Sequence, residues 1–552
     1  MEKLRIILEN KKEILINKEE EFFQVFKNEY IKNDLPVVLA KHNNKYYELT
    51  ASILENGEID AVRTDSKMGH SVYVRTLQFI LIKAVLDLFP ESKITIEHAI
   101  SKGIFGEIHK EKALDEEDIK KIKNRMDELI NKDIKINKVS MKKNKAIDIF
   151  KKYKMDDKVR LLKHIKNETI KLYELDGRYD YFYGSMGYST GIINCYELIY
   201  YDPGFIIRYP EQKKPNVIPK FFEQKKLGDI FYETEKWLNI LDVGEVGSLN
   251  DKIENEEIID VIRVSEALHE KKIAYIADMI NYRKETKMVL IAGPSSSGKT
   301  TFAKRLGIQL RVNGLIPIAI SLDDYFVNRE ETPLDEDGKL DFESIYALDL
   351  KLFNENLNDL MNGKEVEIPS YSFKDGCRKW VNNKISLPEN GILIIEGIHG
   401  LNDKLTSTIL DENKFKIYIS ALTQLNLDNH NRIATTDVRR VRRIVRDFLS
   451  RGYCCEQTLE MWDSIKRGEE KNIFVFQEEA DVMFNSTLVY ELCVLKKYAI
   501  EELSKIDDNS SVYYEANRLK SFLNLFKDIS KDMVPENSIL REFIGGSCFY
   551  KY

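Results

Sequence analysis

The sequence predicts an α/β protein in which a parallel, doubly wound sheet follows smaller α+β modules. Three observations support this fold class. From Lys287 to about residue 525, short β-branched runs alternate with helical patterns, an order typical of parallel sheets. The first of these runs is followed by a turn rich in glycine and serine and then by a helix. Before residue 236, strand-like runs and short turns indicate separate α+β modules instead.

The chain of 552 residues is too long for one domain. Changes in the pattern of apolar, charged and turn-forming residues predict five segments. The first is a small α+β module with strand-like runs such as LRIIL and PVVLA and the turn Asn56-Gly57. We expect the last segment, which is apolar, to dock on the body of the protein. The predicted segments are the α+β module at 1–65, an α+β domain at 66–235, a helical connector at 236–285, the parallel α/β domain at 286–525 and a tail at 526–552.

Composition indicates a soluble globular protein. The chain has 84 lysines and arginines against 91 acidic residues, a net charge of −7, so no overall positive charge attracts nucleic acid or anionic lipid. The six cysteines show no CxxC spacing and are expected to be reduced thiols. No apolar run is long enough to cross a bilayer, and the first residues lack a signal-peptide core. We therefore expect a cytoplasmic protein without membrane association.

The strongest motif is a phosphate-binding loop. Residues 293–300, GPSSSGKT, fit GxxxxGK[ST] between a β-branched run and a helix. Gly293 and Gly298 allow the backbone to curl so that its N–H groups point at phosphate oxygens, and the positive end of the helix adds to that attraction. Lys299 is predicted to reach the β- and γ-phosphates of ATP, and the Thr300 hydroxyl to ligate Mg²⁺. The other predicted phosphate-binding residues of this loop are Ser295, Ser296, Ser297 and Thr301.

Two further strands of the α/β domain are predicted to end in carboxylates. The run PIAIS is soon followed by Asp323 and Asp324, at the strand end where ligands gather in a doubly wound sheet. One aspartate there is suited to accept the proton of an attacking hydroxyl, although both are also suited to cap the next turn. The run GILII ends in Glu396, the form of a strand that holds Mg²⁺, with a capping role as the alternative.

An arginine-rich helix is predicted over the sequence DVRRVRRIVRDFLSRG. On a helix, four of its arginines fall within an arc of about 100°. Such a stripe suits the clamping of phosphates as charge redistributes during phosphoryl transfer. A solvated basic face or a nucleic-acid contact is the alternative that spacing alone leaves open. The four arginines are Arg439, Arg442, Arg443 and Arg446.

Together these segments resemble the uridine kinase and phosphoribulokinase family of P-loop kinases. Ala480-Asp481 and Asn485 also fit the pattern of that family. The resemblance implies a P-loop NTPase fold and a kinase that uses ATP and Mg²⁺. Six motifs occur in the family's order over about 287–500: GPSSSGKTT, SLDDYF, DFESIYALDL, EIPSYSFKDGCRK, ILIIEGIHGLN and RRIVRDFLSRG.

The resemblance also implies roles for individual residues. Asp323 is implied as the catalytic base and Lys299 as a catalytic group at the phosphates. Thr300 and Glu396 are implied as Mg²⁺ ligands, and Tyr371 takes the place of the tyrosine that packs on the nucleoside. The lid over the phosphates is implied to contain Arg443, Arg446 and Arg451. The acceptor side is implied to contain Asp324, Tyr325, Glu343, Tyr371 and Arg378.

Two positions depart from the uridine kinase pattern. Glu343 stands where uridine kinases place an aspartate that holds the ribose hydroxyls, and its side chain is one methylene longer. Gly376 stands where a histidine helps to read the pyrimidine. Because glycine has no side chain to hydrogen-bond the base, we expect a looser pocket or one suited to another base. Kinase chemistry is therefore better supported than uridine specificity.

The N-terminal half resembles the N-terminal modules of threonyl-tRNA synthetase. The first segment is similar to its small β-grasp (TGS) module, and the region from 69–71 (GHS) to YFYGSMGYSTG is similar to its editing-type second domain. The HxxxH pair of that domain is broken, because Val74 stands four residues after His70. Its CxxxH is also missing at Cys195. The resemblance implies a retained fold, a lost editing site and no aminoacylation.

The predicted function is an ATP-dependent nucleoside kinase of uridine or cytidine type, in pyrimidine salvage, which acts on a primary hydroxyl. A sugar phosphate is the alternative acceptor. The alternative class is an RNA- or translation-associated regulator whose ATP site is a switch. Lysines between Lys142 and Lys154 offer contacts to RNA phosphates, although such a stretch is more often a solvated helix face. The expected partners are a small-molecule nucleoside and a second copy of the chain.

Overall fold

The N-terminal module of the computed structural model is a mixed sheet with one short helix. The structure describes residues 3–9, 11–32, 35–423 and 425–550. The sheet order is β2-β1-β6-β4-β3 with β5 paired to β4, and β1 runs parallel to β6. Leu4 and Ile6 alternate with exposed residues along β1, which gives the sheet a buried face. The elements are β1 (Lys3–Leu8), β2 (Glu13–Asn17), α1 (Phe22–Phe26), β3 (Ile31–Lys32), β4 (Leu35–His42), β5 (Lys45–Glu48) and β6 (Gly57–Arg63).

The next segment combines two antiparallel sheets with four helices. Its first helix begins where the Ser66 hydroxyl accepts a hydrogen bond from the Gly69 N–H, and it ends before Pro90. The two sheets have the orders β12-β13-β8-β7 and β11-β10-β9. The elements are α2 (Lys67–Leu88), β7 (Lys93–Ile100), β8 (Gly103–His109), α3 (Glu116–Asn131), β9 (Asn137–Lys142), α4 (Lys143–Lys152), α5 (Asp156–His164), β10 (Thr169–Leu175), β11 (Arg178–Asp180), β12 (Glu197–Tyr201) and β13 (Gly204–Arg208).

The two N-terminal segments share one hydrophobic core. Val38 of β4, Phe79 of α2 and Ile122 of α3 are all fully buried in it. The predicted strand-like runs LRIIL and PVVLA are confirmed by β1 and β4. The tyrosine-rich segment at 179–210 forms strands only towards its two ends, while 181–196 is a loop with one short helical turn. The resemblance to the TGS and editing modules stays a prediction.

Three helices connect this half to the α/β domain: α6 (Lys225–Leu241), α7 (Val246–Glu254) and α8 (Ile258–Tyr282). Helix α8 packs along the first helix of the α/β domain. Ile262, Ile273 and Ile280, on one side of α8, are buried in the core of that domain. The helical part of the chain between 225 and 282 therefore extends the C-terminal core. The predicted segment boundaries stay predictions.

The C-terminal half confirms the parallel sheet that its alternating pattern predicts. All neighbouring strands in the order β15-β18-β14-β19-β22 run parallel. Val289 and Ile291 of the central strand enter one hydrophobic core, whereas Met288 and Leu290 enter another, so both faces of the sheet are covered. The strands are β14 (Met288–Ala292), β15 (Ile316–Ser321), β16 (Val366–Ser372), β17 (Cys377–Ile385), β18 (Gly391–Glu396), β19 (Lys414–Ser420), β20 (Asn426–Asp428), β21 (Asn431–Arg432) and β22 (Val482–Asn485).

Helices cover this sheet, and the last described residues fold back on it. Ile539, Leu540 and Phe543 are buried in the same core as the helix that follows β14. Among the described residues, no helix has the length and apolarity needed to cross a membrane. The helices are α9 (Lys299–Val312), α10 (Leu350–Met361), α11 (Thr435–Arg446), α12 (Cys455–Asn472), α13 (Glu491–Leu503), α14 (Tyr513–Leu523) and α15 (Arg541–Ile544).

Candidate active site

The predicted phosphate loop lies between β14 and α9, at the carboxyl edge of the parallel sheet. A Cβ atom at Gly293 would lie 1.9 Å from the carbonyl oxygen of Ile419, so the loop passes where only glycine fits. Gly298 has a φ of +84°, which an L side chain rarely adopts. The Lys299 Nζ donates to the carbonyl oxygen of Gly293 at 3.0 Å and to that of Pro294 at 3.2 Å. The loop therefore holds its lysine beside the backbone curl that would receive phosphates.

The end of β18 brings oxygen ligands to the start of α9. The Glu396 Oε1 accepts a hydrogen bond from the Thr300 hydroxyl at 3.3 Å and from the Ser321 hydroxyl at 3.1 Å. Burial and the nearby charge of Asp323 raise the pKa of Glu396 to about 7, although Lys299 opposes the shift. Hydroxyl and carboxylate oxygens are the ligands that Mg²⁺ prefers, so the residues present fit this ion.

The two aspartates after β15 have different surroundings, which distinguishes their roles. They lie in a short helical turn over Leu322–Tyr325. The Asp324 carboxylate accepts a hydrogen bond from the Tyr371 backbone N–H at 3.2 Å, and burial raises its pKa, with a further contribution from Asp323. Within the described residues, the Asp323 carboxylate makes neither a hydrogen bond nor an ion pair. The Asp324 carboxylate is therefore engaged by the backbone of Tyr371, whereas the Asp323 carboxylate has no partner within the described residues.

Two of the four helical arginines hold the phosphate loop in place. The Arg439 Nε donates to the Ser295 carbonyl at 3.0 Å, and its guanidinium pairs with Glu469. Arg442 is fully buried and pairs with Glu491 at 2.6 Å, while its Nη1 donates to the Ser296 carbonyl at 3.3 Å. Both side chains are bound to glutamates and to loop carbonyls. The four predicted arginines therefore fall into two pairs. Arg439 and Arg442 hold the loop through its carbonyl groups, so their guanidinium groups are not available to a ligand.

The remaining arginines form a cluster with a surplus of positive charge. The Arg443 Nη1 donates to the Ser295 hydroxyl at 2.8 Å, and Arg443 and Arg446 both pair with Asp447, at 3.1 and 2.8 Å. Arg451 ends the turn that follows α11. The charge of Arg446, together with burial, lowers the pKa of Arg451 to about 10. Three guanidinium groups around one carboxylate favour an anion nearby, so the predicted lid arginines do come together beside the loop.

Tyr371, a predicted acceptor residue, packs against two other aromatic rings. Tyr371 lies 5.6 Å from Phe326 and 5.2 Å from Phe373, measured between ring centroids. No group among the described residues bonds the Tyr371 hydroxyl, although it is buried. A Cβ at Gly376 would lie 2.7 Å from the Nε of Arg329, so this arginine occupies the space that a side chain at 376 would take. The sequence motifs do not mark Arg329, because it approaches Gly376 from another segment.

Glu343 lies deep in the site beside the arginine cluster. Burial and the charge of Glu469 raise the pKa of Glu343 to about 8, although Arg443 opposes the shift. Its Oε2 has no partner within the described residues. A Cβ at Gly468 would lie 2.3 Å from the Cβ of Glu343, so α12 needs glycine where it passes this side chain. A buried carboxyl with a free oxygen suits a hydrogen bond to a ligand hydroxyl.

The polar groups of two predicted acceptor residues are engaged within the protein. The Tyr325 hydroxyl accepts from the Asn356 Nδ2 at 3.0 Å, and its ring packs on Phe353. The Arg378 guanidinium pairs with Asp349 at 2.9 Å. The polar groups of both side chains are therefore already occupied by partners within the protein. The sequence identifies these residues by motif but does not reveal that they already have partners.

A carboxylate from the C-terminal tail also reaches the phosphate loop. The Glu542 Oε2, on α15, accepts from the Thr301 N–H at 3.0 Å and from the Thr301 hydroxyl at 2.9 Å. The Tyr550 hydroxyl lies 2.7 Å from the same Thr301 oxygen. Thr301 is a predicted phosphate-binding residue, so the tail contacts a predicted ligand position. No sequence motif marks this contact, because 241 residues separate its partners.

Among the described residues, Val74 stands four positions after His70, so the editing-type histidine pair is not formed on this helix. The His70 Nε2 lies 2.8 Å from the Pro210 carbonyl oxygen, and burial lowers the pKa of His70. Cys195 is half-buried on a different element, and burial raises the pKa of its thiol. In the lysine stretch, the Lys143 Nζ donates to the Ile165 carbonyl at 2.9 Å, while Lys142 is exposed. These surroundings agree with structural or solvated roles for these side chains.

Comparisons with known proteins agree with the geometry of the C-terminal half. A model of the Phosphoribulokinase / Uridine kinase family matches residues 288–491. A uridine kinase from Macrococcus caseolyticus is 30% identical over 183 residues, which are 33% of this chain and 79% of that relative. This chain belongs to the phosphoribulokinase / uridine kinase family. A uridine kinase from Staphylococcus aureus is 29% identical over 184 residues, with the same shares covered.

Comparisons with solved structures give weaker likenesses. A possible uridine kinase from Bacillus stearothermophilus is 21% identical, covers 36% of this chain and 89% of its own, and has a TM-score of 0.24. A fructose transport system kinase from Silicibacter is 16% identical, covers 38% and 98%, and has a TM-score of 0.26. The fold of the kinase domain therefore rests on its strand order and loop. The family model leaves 1–287 outside its range.

Proposed function

We propose that the protein transfers the γ-phosphoryl group of ATP to the primary hydroxyl of a nucleoside, with uridine or cytidine as first candidates. The observation that carries the proposal is the meeting of three groups at one sheet edge. These are the loop with Lys299, the Thr300–Glu396 oxygen pair and the unengaged carboxylate of Asp323. A protein that only senses ATP has no use for a proton acceptor beside the phosphate loop. The free carboxylate therefore favours a kinase over a regulatory switch.

Asp323 is the proposed general base. Its carboxylate takes the proton of the acceptor hydroxyl while the new bond forms between that oxygen and the γ-phosphorus. The bond from the γ-phosphorus to the bridging oxygen breaks, and ADP leaves with the electron pair. Lys299 and the backbone N–H groups of the loop bind the phosphate oxygens throughout. Mg²⁺ would be held by Thr300 and Glu396, where it neutralises phosphate charge when bound.

The proposed lid consists of Arg443, Arg446 and Arg451. Their surplus charge favours the negative charge that spreads over the phosphoryl oxygens during transfer. The lid also shields the site from water, which limits the hydrolysis of ATP. Asp447 keeps two of these guanidinium groups together, at 3.1 and 2.8 Å. The reaction belongs to the class used in pyrimidine salvage, and we expect it to take place in the cytoplasm.

The aromatic rings of the proposed acceptor side favour a nucleoside, whereas a nearby positive charge favours an anionic acceptor. Tyr371 and Phe373 offer aromatic faces for a base, and the free oxygen of Glu343 suits a ribose hydroxyl. Arg329 occupies the space beside Gly376. Burial raises the pKa of the Tyr371 hydroxyl, and the charge of Arg329 opposes that shift. A guanidinium group in this place favours an anionic acceptor such as a sugar phosphate.

The test measures ADP release from Mg-ATP across a panel of nucleosides and sugar phosphates. One acceptor is expected to raise turnover above the background of ATP hydrolysis. Asp323→Asn is expected to lower the acceptor-dependent rate by about 10²–10⁴-fold, the range of general-base catalysis. Lys299→Ala is expected to weaken turnover as well, because phosphate binding is lost. Asp359→Asn, which changes a half-exposed aspartate of α10 that pairs with Lys364, is the matched control and should keep full activity.

The kinase proposal fails if no acceptor exceeds the background while the protein still binds ATP. It also fails in its choice of base if Asp323→Asn keeps the rate of the unaltered protein. If a sugar phosphate and no nucleoside raises turnover, the nucleoside part is wrong and the second candidate replaces it. The three outcomes are distinguishable because ATP binding is measured separately by calorimetry.

A further inference from the structure

A groove between the N-terminal half and the kinase domain takes no part in the proposed phosphoryl transfer. It encloses about 1480 Å³ and is lined by β5 and β10 on one side and by α14 on the other. Small-molecule sites usually enclose about 300–1,000 Å³. The groove is also open to solvent, so its dimensions suit an extended ligand. Neither half forms the groove alone, so any function of the groove requires both halves.

The lining of the groove is strongly basic. Seven lysines and Arg518 line it, against Asp528 as the single acid among its described lining residues. This excess is local, because the whole chain has a net charge of −7. Four of the lysines form no ion pair within the described residues, so their charge is available to a ligand. These four are Lys41, Lys45, Lys166 and Lys171.

Aromatic rings lie among these charges. Tyr46 of β5 and Tyr514 of α14 meet edge to face at 5.1 Å, which joins the two walls of the groove. Tyr513 lines the same wall as Tyr514, and all three rings are half-buried, so part of each remains open. Asparagines and serines occupy much of the remaining lining. Lysines that contact a charged backbone and rings that stack on flat groups are the features of single-strand nucleic-acid grooves.

We propose that this groove binds single-stranded nucleic acid. The unpaired lysines neutralise phosphates, and the tyrosines of the groove stack on bases. These residues differ from the lysine stretch at 142–154, which does not line the groove. The two sources of this chemistry, RNA and single-stranded DNA, are distinguished by experiment. The inference does not depend on the identity of the kinase acceptor.

The test is fluorescence anisotropy of the full chain with labelled 12-nucleotide oligouridylate and oligothymidylate. Four neutralised phosphates predict a slope of about −3 for log K against log salt, from about −0.7 for each phosphate on a single strand. Lys166→Glu with Lys171→Glu is expected to weaken binding at least tenfold and to make the slope shallower. The matched control is Lys120→Glu with Lys132→Glu, which changes two exposed lysines at α3 outside the groove and should leave affinity unchanged.

Several outcomes would overturn the proposal. An absence of binding at 50 mM salt, or an equal loss in the control variant, would show that the groove is not the site. An abasic oligomer with the same number of phosphates should bind at least tenfold more weakly, because it cannot stack. If it binds equally well, the groove accepts any polyanion and the nucleic-acid assignment is wrong. A preference between the two oligomers assigns RNA or DNA.

A second observation concerns the tail and stands apart from the groove. Thr301 is the third residue of α9, and its N–H has no partner within the first turn of the helix. Glu542 supplies the missing acceptor and places negative charge at the positive end of the helix. The Thr301 hydroxyl donates to Glu542, so the Tyr550 hydroxyl donates to it in turn, at 2.7 Å. The tail thus uses donors that a phosphate-binding loop directs at phosphates.

The tail is held there by packing as well as by charge. A Cβ at Gly298 would lie 2.5 Å from the Cγ2 of Ile539, so the tail lies directly against the loop. The Arg442 guanidinium lies 4.9 Å from the centre of the Phe543 ring. Burial and Asp323 are the larger causes of the raised pKa of Glu396, and the charge of Glu542 adds to them. Glu542 therefore acts electrostatically on a proposed metal ligand. The contact therefore affects both ends of the proposed nucleotide site.

We infer that Glu542 sets the affinity for ATP by competing with a phosphate group for Thr301. This inference rests on the proposed ATP site. Glu542→Gln keeps the shape but removes the charge that repels a phosphate, so ATP is expected to bind about tenfold more tightly. Tyr550→Phe is expected to give a smaller gain of the same sign. Glu536→Gln, an exposed acid of the same tail, is the matched control and should bind ATP as the unaltered chain does.

The measurement is isothermal titration calorimetry with ATP, which does not require an acceptor. If the unaltered chain and every variant fail to bind ATP, the proposed function is at fault. If the unaltered chain binds ATP and Glu542→Gln binds it equally or more weakly, the competition is wrong and Glu542 supports the loop instead. Thermal unfolding of each variant confirms that the tail remains docked during the comparison.

Discussion

The phosphate loop and the basic groove differ in how their charges are surrounded. At the loop, Arg439 and Arg442 are buried and paired with Glu469 and Glu491. In the groove, lysines such as Lys166 are exposed and unpaired within the described residues. A buried pair holds its geometry because breaking it leaves an uncompensated charge, whereas an exposed charge acts through a field that salt screens. The paired charges at the loop therefore hold the loop in one geometry, whereas the unpaired charges of the groove attract anions.

The largest expected effect is the loss of stability that follows when a buried ion pair at the loop is broken. Arg442→Ala leaves Glu491 buried without its partner and is expected to lower the free energy of unfolding by about 3–5 kcal/mol. The measurement is denaturant unfolding of the full chain, followed by the loss of ATP binding in the same samples. Arg263→Ala, which removes an exposed arginine of α8, is the control and should change stability little. Equal stability of the two variants would contradict the bracing role.

The next largest effect is expected in the pH dependence of the Mg²⁺ requirement. Because burial and Asp323 raise the pKa of Glu396 to about 7, this carboxyl is mostly protonated at pH 6 and mostly ionised at pH 8. Only the ionised form binds Mg²⁺ well, so the Mg²⁺ concentration for half-maximal activity should fall about tenfold from pH 6 to pH 8. Steady-state kinetics at several Mg²⁺ concentrations measures this. A Glu396→Gln variant should lose the dependence, and a flat profile in the unaltered protein would contradict the assignment.

A smaller effect is expected at the acceptor side. Arg329→Ala removes the guanidinium group beside Gly376 and should raise the KM for an anionic acceptor by about tenfold. For a neutral nucleoside, the KM should stay within about twofold, because no charge pair is lost. The KM for ATP serves as the internal control and should not change. An equal rise in KM for both acceptor classes would mean that Arg329 only supports the pocket.

The smallest effect is expected for an exposed pair between the two halves. The Lys67 Nζ lies 2.5 Å from an Asp463 carboxylate oxygen, and about half of each side chain is exposed. Lys67→Ala should therefore change stability by at most about 0.5 kcal/mol, since solvent and salt screen such a pair. Thermal unfolding at low and high salt measures the change. A loss above about 2 kcal/mol would show that this contact holds the halves together.

Local patterns account for the parts of the site that the sequence predicts well. The loop at 293–300, the strand before it and the acid at the end of β18 all lie within short segments whose spacing implies their geometry. The resemblance added the order of the motifs and the role of Asp323. The sequence does not specify the conformation of the tyrosine-rich segment, because residues 181–196 pack as a loop whose position depends on neighbouring elements.

The sequence by itself determined the parallel α/β fold and the phosphate loop, since periodicity and loop spacing are local properties of the chain. Only the tertiary structure decided which charges are free. Arg439 and Arg442 are bound to buried glutamates, Arg329 occupies the space beside Gly376, and Glu542 reaches Thr301. The physical reason is that partners distant in sequence meet only after folding, and burial then fixes which of them stay paired.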